Sequence, residues 1–392
     1  MRPIIRAMRW DIFCRVVDNL GDIGVCWRLA AELAARGEAV RLWVDAPDPL
    51  TWMVPGGRAG AARLGVALRD WDPSSLVEDE PAEVVVEAFG CDPHPGFLAA
   101  MAQTARVRGA PPAWFNLEYL SAEAWVARCH GLASPVLDGS AAGLGKRFFY
   151  PGFTPETGGL IRETGLDDRQ ARFDRGTWMA GLGLPPPARG ERLVSLFCYE
   201  PPALPALLGQ LAAQGARLLV TPGRAQVALE AALVTLGSAP KPAWNLLPPL
   251  PQTGFDELLW ACDLNFVRGE DSLVRALWAG RPFVWQIYPQ HDGVHLDKLA
   301  AFLDWLQAPA SLRQAHAAWN QAQARAGTDP TFPRQGALPW PALDLPAWTQ
   351  TARAARERLG AGPELVAQLM AAAGAWVGHA PKTPAGSPDE TS

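Results

Sequence analysis

The chain has 392 residues, a length that predicts two or three domains, and 49% of them are hydrophobic, enough for large cores. Its 35 basic and 40 acidic residues leave a net charge of −5, which excludes the basic footprint of a nucleic-acid-binding protein. No apolar run reaches membrane-spanning length, and residues 1–13 lack the apolar core of a signal peptide. The six cysteines form no C-x-x-C pair, which is typical of reduced thiols. We therefore expect a cytoplasmic protein without a membrane partner.

The first predicted unit is a strand, a loop, a helix and a second strand. Residues 10–17 form an apolar run of strand type, residues 25–35 have helical periodicity, and residues 39–44 form the next strand. A βαβ unit of this kind implies a parallel sheet, because its two strands run in the same direction. Ligands bind at the carboxyl ends of the strands in such sheets, so the loop at 18–24 should face a crevice.

Two carboxylates, Asp18 and Asp22, lie in or next to this loop. They can face one crevice together, but spacing alone favours a structural interpretation, in which Asp22 caps the helix and Asp18 bonds turn amides. The glycine pattern is G-x-x-G rather than G-x-G-x-x-G, and Leu20 and Asp22 stand where a pyrophosphate would approach. The loop therefore argues against a dinucleotide cofactor.

The rest of the first half continues the α/β pattern less regularly. Residues 84–89 and 114–119 predict further strands, and residues 46–61, with three prolines, predict a loop. Residues 148–175 indicate a loop or linker, and the three prolines at 185–187 are the strongest boundary signal in the chain.

The second half repeats the alternation of strands and helices. The predicted strands are 192–199, 217–221 and 244–247, and the predicted helices are 204–214, 227–236 and 255–261. This pattern predicts a second parallel sheet with helices on both faces. The α/β fold class is thus two Rossmann-like domains facing a central cleft, the GT-B glycosyltransferase arrangement.

The domain prediction follows from these boundaries. We expect an acceptor-binding N-terminal domain over 1–185 and a nucleotide-sugar-binding domain over 186–350. A helical segment over 351–379, which overlaps a helical stretch predicted at about 345–377, should return to the first domain, and the polar tail 380–392 should be disordered.

The stretch 262–290 predicts a strand, a polar turn at 268–272, a helix at 273–279 and a second strand. Unpaired N–H groups at a helix start make an anion site, to which Arg268 adds a cation and Ser272 a donor. Two acids are less expected beside a phosphate. They fit if Asp271 caps the helix and Glu270 accepts hydrogen bonds from sugar hydroxyls. An ordinary capped helix, with Arg268 paired to an acid, explains the same spacing equally well.

Two long motifs carry a family resemblance. WDIFCRVVDNLGDIGVCWRLA at 10–30 and VRGEDSLVRALWAGRPFVWQIYPQ at 267–290 resemble the bacterial protein-arginine rhamnosyltransferases of translation elongation factor P, the EarP family. The resemblance implies a GT-B fold, dTDP-β-L-rhamnose as donor and no cofactor. It further implies inverting transfer of L-rhamnose to one arginine of elongation factor P, which activates that factor to relieve ribosome stalling.

The resemblance also implies site residues. Asp22 and Asp18 match the essential aspartates of the family, with Asp22 the better general base. The implied donor-binding residues are Asn19, Gly21, Phe197, Tyr199, Gln252, Phe255, Arg268, Gly269, Glu270, Asp271, Ser272, Tyr288 and Gln290. Either Phe197 or Tyr199 should stack on the thymine with Phe255, and Gln252 should read the base edge. No metal is expected, because Arg268, Ser272 and the helix start can stabilise the leaving diphosphate.

Other functions compete with this one. A GT-B transferase or epimerase acting on a small-molecule or lipid acceptor has the same donor site. A non-catalytic nucleotide-sugar sensor is a third class, but it needs no acids opposite the donor. A metal pair at His291 and His295, next to Asp292, is disfavoured, because no Glu lies between the two histidines and no third ligand follows.

Overall fold

The computed structural model describes residues 7–17, 20–72, 79–290, 293–320 and 340–378. Two predicted site residues, Asp18 and Asn19, lie outside the described residues, as does the predicted tail 380–392. Within the described part of the chain, no helix is both long and apolar enough to cross a membrane.

The first half is built on a seven-stranded sheet in the order β3-β2-β1-β4-β5-β7-β6. Its strands are β1 (Arg9–Cys14), β2 (Ala39–Val44), β3 (Val66–Asp70), β4 (Val84–Ala88), β5 (Ala113–Leu117), β6 (Ala133–Pro135) and β7 (Gly145–Phe149). Its helices are α1 (Gly21–Ala35), α2 (Leu50–Met53), α3 (Gly57–Arg63), α4 (Pro95–Arg108) and α5 (Val126–Cys129). All neighbouring strands pair in parallel except β6, which runs antiparallel to β7 at the edge.

The second half is built on a five-stranded parallel sheet in the order β10-β9-β8-β11-β12. Its strands are β8 (Leu193–Leu196), β9 (Arg217–Val220), β10 (Ala243–Leu246), β11 (Leu264–Arg268) and β12 (Phe283–Gln286). The helices are α6 (Leu166–Ala171), α7 (Arg175–Gly181), α8 (Leu204–Ala213), α9 (Arg224–Leu236), α10 (Gln252–Ala261), α11 (Gly269–Ala279), α12 (Val294–Leu306), α13 (Ala310–Asn320), α14 (Leu345–Gly360) and α15 (Leu365–Gly378).

The strand order positions the site. Counted from its own first strand, each sheet begins in the order 3-2-1-4-5, so the direction of winding reverses between β1 and β4 and again between β8 and β11. Crevices open at such switch points, beyond the carboxyl ends of the strands. The helix α1 follows β1 and α11 follows β11, so each of them begins at its own sheet's switch point.

The predicted C-terminal helix at 345–377 is wrong as a single element. It is two helices, α14 and α15, separated at Gly362 and Pro363, where proline cannot supply the N–H that a continuous helix requires. Trp348 of α14 is buried in the core of the second half, whereas Leu369 of α15 is buried in the core of the first half. Of these two helices, it is therefore α15 that returns to the core of the first half.

Two other predicted segments need correction. The expected loop at 46–61 contains α2 and the start of α3, and the expected linker at 148–175 contains α6. The helix α3 was not predicted because its glycines are unfavourable in helices. Gly60 is nevertheless required there, because an added Cβ would lie 1.9 Å from the carbonyl oxygen of Pro55. The predicted domain boundary between 185 and 186 stays a prediction, although Leu166 already packs in the second core.

Candidate active site in the cleft between the two halves

A cavity of about 790 Å³ lies between the two halves. Its first wall contains Val16, Leu20, Gly21 and several residues of the segment 46–53, which follows β2. Its second wall contains Phe197, Thr221, Pro222, Gly223, Arg224, Pro248, Pro249, Leu250, Gln252, Phe255, Arg268, Asp271 and Ser272. Most of these residues follow the carboxyl ends of strands, and the volume is within the range of small-molecule sites.

The start of α1 forms one side of the site. Asp22 lies in the first turn of this helix, is 4% exposed, and its Oδ2 accepts a 2.8 Å hydrogen bond from the backbone N–H of Val17. The positive end of the helix dipole stabilises a carboxylate at this position. The neighbouring residues Leu20 and Gly21 line the cavity. The expected location of Asp22 at the helix start is confirmed, and its role as a base stays a prediction.

The start of α11 forms the opposite side. This helix begins at Gly269, four residues before the predicted start, so Glu270, Asp271 and Ser272 all lie in its first turn. Gly269 has a φ of +69°, a conformation that a side chain would disfavour, and it makes the sharp change from β11 to the helix. The helix has no side-chain cap, so the prediction that Asp271 caps it is wrong.

Arg268 presents a buried cation at the base of the cavity. Its guanidinium lies 4.6 Å from the ring centroids of both Phe197 and Tyr199, and its Nη1 donates to the carbonyl oxygen of Cys198 at 3.1 Å. The hydroxyl of Ser272 donates to the carbonyl oxygen of Arg268. Both Arg268 and Ser272 line the cavity, as an anion site at this helix start requires.

The aromatic residues occupy different depths. Phe197 and Phe255 both line the cavity and pack edge to face with their ring centroids 5.2 Å apart. Tyr199 is fully buried, and Tyr288 packs edge-on against it at 5.9 Å. Of the two residues proposed for base stacking, Phe197 is therefore the one at the cavity wall.

Two of the implied donor residues lie away from this wall. Neither Tyr288 nor Gln290 lines the cavity, and Tyr288 is 41% exposed. The backbone N–H of Gln290 donates to Nδ1 of His295 at 3.2 Å. The other histidine of the disfavoured metal pair, His291, lies outside the described residues.

The two acids of α11 both contact protein groups, and Asp271 also lines the cavity. Glu270 accepts from Lys298 Nζ and from the backbone N–H of Leu120, each at 2.8 Å. Asp271 accepts from Nε of Arg28 at 2.8 Å. Burial raises the pKa of the Asp271 carboxyl, and the nearby arginines act in the opposite direction. Both oxygens of Glu270 thus have protein partners in this structure. The expectation that Glu270 accepts hydrogen bonds from sugar hydroxyls stays a prediction.

The starts of α1, α10 and α11 touch. Nε2 of Gln252 donates to the carbonyl oxygen of Gly24 at 3.0 Å, so this amide joins the two halves. A Cβ added to Gly24 would lie 3.2 Å from Oδ2 of Asp271, which shows how closely the helices approach. The structure thus brings together the described parts of the two segments that the sequence singled out.

Sequence reasoning missed several residues of the site. Trp52 of α2 and the segment 221–224 after β9 line the cavity. The sequence feature that could have identified them is their position beyond the ends of predicted strands. Arg28 was also missed. Its signal was a charge in the middle of the apolar pattern of α1, where burial requires partners.

Two largely parallel sheets that share the strand order 3-2-1-4-5 and face one cleft define the class of the protein as a glycosyltransferase of the GT-B fold. A family model for elongation factor P (EF-P) rhamnosyltransferases, the EarP family, matches residues 10–373. The chain belongs to this family.

Individual relatives agree over most of the chain. A protein-arginine rhamnosyltransferase of Pseudomonas aeruginosa PAO1 is 44% identical over 393 residues, covering 94% of this chain and 99% of the relative. One from Pseudomonas putida KT2440 is 46% identical over 338 residues, covering 79% and 86%. A solved structure concerning EarP-mediated arginine glycosylation of translation elongation factor EF-P is 31% identical, covers 93% of this chain and 98% of its own, and has a TM-score of 0.56.

Proposed function

We propose that this protein transfers L-rhamnose from dTDP-β-L-rhamnose to an arginine side chain of translation elongation factor P, with inversion at the anomeric carbon. The observation that carries the proposal is the contact between the starts of α1 and α11, which puts the turn of Asp22 beside the turn of Arg268 and Ser272. The family membership and the names of the relatives support the acceptor and the sugar.

The second half of the chain would hold the donor. Phe197 and Phe255 offer faces on which a thymine can stack, which contributes about 1–3 kcal/mol per base in nucleic-acid-binding proteins. The diphosphate would lie at the start of α11, where backbone N–H groups and Arg268 stabilise the charge that develops as the bond to the sugar breaks.

The first half would prepare the acceptor. A guanidinium is a poor nucleophile because its pKa lies above about 12, so it needs carboxylates that orient it and accept a proton. Asp18 would orient the group, and Asp22 would accept the proton as the nitrogen forms a bond with the anomeric carbon. The bond from that carbon to the phosphate oxygen breaks with its electron pair leaving on dTDP. A single in-line displacement of this kind inverts the centre.

Two further expectations belong to this proposal. Because Arg268 and the helix start supply positive charge, we expect transfer to need no metal and to survive a chelator. We also expect the protein to work in the cytoplasm. All six cysteines, each within the described residues, are free thiols, which fits a reducing compartment.

The test is to incubate the protein with dTDP-β-L-rhamnose and EF-P, with and without a chelator, and to measure the intact mass of EF-P. We expect a gain of one deoxyhexose on wild-type EF-P, none when the target arginine is replaced by lysine, and an α-linked product by NMR. If EF-P gains no mass although calorimetry shows that dTDP binds, the acceptor assignment is wrong. A β-linked product would contradict inversion.

A further inference from the structure

Arg28 lies at the centre of a buried ionic cluster between the two halves. It is 5% exposed and projects from α1, two turns beyond Asp22. Its Nε donates to Asp271 at 2.8 Å, and its Nη1 donates to Glu163 at 2.7 Å. Its Nη2 lies 3.3 Å from Oδ1 of Asp256 and 3.4 Å from the carbonyl oxygen of Gln252. Each of its three nitrogens therefore already donates to a protein group.

A second arginine binds two of the same acids. Arg275 of α11 donates to both oxygens of Asp256, at 2.7 and 3.0 Å, and to Glu163 at 2.6 Å. Arg169 adds a contact to Asp256 at 3.1 Å. With Asp271 included, three arginines face three acids, so the cluster is neutral as a whole.

The cluster joins the three parts that determine how the halves approach each other. Arg28 belongs to α1 of the first half, and Arg275 and Asp271 belong to α11 of the second half. Glu163 lies in the segment between the two sheets and gives one oxygen to each arginine. Burial opposes the charged form of Glu163, but the two arginines outweigh it and lower the pKa to about 2.

A buried cluster of this kind specifies geometry better than it adds stability. The cost of removing charges from water offsets much of their attraction, so a buried ion pair is weak evidence for stability. Its planar, multidentate contacts are satisfied in one arrangement only, and rotating α1 against α11 would leave a buried charge without its partner. Asp22 and the donor-side residues Asp271 and Ser272 lie in the first turns of these two helices.

We propose that Arg28 is a positioning residue, which sets the approach of α1 to α11 and thereby the separation of Asp22 from the donor site. This inference rests on the proposed rhamnosyl transfer. Arg28 also lines the cavity, but four of its five N–H groups already donate to protein groups, so we assign it the role of holding the two helices rather than of binding the donor.

The test compares Arg28→Gln with the matched control Arg36→Gln. Arg36 is the C-cap residue of the same helix and pairs with Glu32 of that helix at 2.8 Å and with Glu364, just before α15, at 2.7 Å. We expect Arg28→Gln to lower kcat about 100-fold, the effect of a displacement near 1 Å at a reacting centre, while the Kd for dTDP changes less than about threefold. The control should keep both constants near wild type.

A distance measurement tests the positioning directly. Spin labels on Val107→Cys and Val234→Cys, which are 76% and 82% exposed on the outer helices α4 and α9, report the separation of the two halves. The label background carries Cys129→Ala, because the other five cysteines are buried. The distance distribution should broaden in Arg28→Gln and stay narrow in Arg36→Gln.

The outcomes separate the alternatives. A narrow, unchanged distribution with an unchanged kcat in Arg28→Gln overturns the proposal, and so does full activity in Arg28→Lys, since lysine keeps the charge without the planar fork. If Arg28→Gln does not fold, Glu163→Gln removes the carboxylate that pairs with Arg28. This variant should also broaden the distance distribution. If wild type transfers no rhamnose, the proposed function fails, while the distances still decide whether Arg28 positions the two halves.

Discussion

The two helix starts that meet in the cleft both carry acids in their first turn but use them differently. In α1, Asp22 bonds the backbone of its own loop, through the N–H of Val17. In α11, Asp271 reaches across to Arg28 of the other half, and Glu270 accepts from the backbone N–H of Leu120 in that half. The acid in the first turn of α1 thus holds a local turn, whereas the acids in the first turn of α11 hold the contact between the halves.

This difference teaches how to interpret carboxylates at the ends of strands. Such an acid marks a crevice, because parallel strands expose their carboxyl ends there. Whether it acts on a ligand depends on the groups around it. In this structure Glu270 pairs with Lys298 and Leu120, and Asp271 pairs with Arg28, so the contacts to Leu120 and Arg28 join the two halves.

Replacing the acid of α1 should have the largest effect. We expect Asp22→Asn to lower the transfer rate about 10³-fold or more, because the amide keeps the shape but cannot accept the proton. The Kd for dTDP, measured by calorimetry, should stay near that of wild type. Asp138→Asn, an exposed substitution between β6 and β7 in the same half, is the control and should be fully active. A near-normal rate for Asp22→Asn would remove it as the base.

Replacing the cation beside α11 should affect donor binding instead. We expect Arg268→Ala to weaken dTDP binding about 10- to 100-fold, which corresponds to a charge-assisted hydrogen bond of about 1.5–3 kcal/mol. Arg268→Lys should rescue only part of the loss, because an ammonium cannot stack between Phe197 and Tyr199 as a planar guanidinium does. The control is Arg192→Ala. Arg192 comes just before β8, at the end of this strand that lies away from the cavity. Equal dTDP affinity in wild type and Arg268→Ala would exclude Arg268 from the donor site.

The last effect is on stability rather than on activity, and it concerns the segment that joins the two helix starts. The pKa of Glu163, at about 2, lies below that of an unfolded glutamate, about 4.3. Its ion pairs therefore stabilise the fold fully above about pH 4.3 and lose their contribution as the pH falls towards 2. Denaturant unfolding should show Glu163→Gln to be less stable than wild type by on the order of 3 kcal/mol at neutral pH, and by about half of that near pH 3.

The control for this experiment is Glu156→Gln, an exposed substitution in the same connecting segment. Its unfolding free energy should follow that of wild type at every pH. A constant difference between Glu163→Gln and wild type from neutral pH to about pH 3 would mean that Glu163 titrates alike in the folded and unfolded states, and the ionic cluster would lose its energetic basis.

The sequence by itself determined the alternation of strands and helices, and with it the α/β class. Buried parallel strands need largely apolar runs, such as Val84–Ala88, in which Glu87 is the one charged residue, and these are visible without coordinates. It also indicated that the turns near Asp22 and Arg268 face a ligand site, because both follow predicted strands at the edge where ligands bind. The family motifs then supplied a function that spacing alone left open.

Only the tertiary structure decided which partner each polar group has. Arg28 and Asp271 are 243 positions apart in the chain, and no periodicity relates them. The local pattern around Asp271 suggested a helix cap, because a helix start is a local feature, whereas an ion pair between halves depends on how two finished domains pack. The same reason explains why Phe197 lines the cavity while Tyr199, two residues on, is buried.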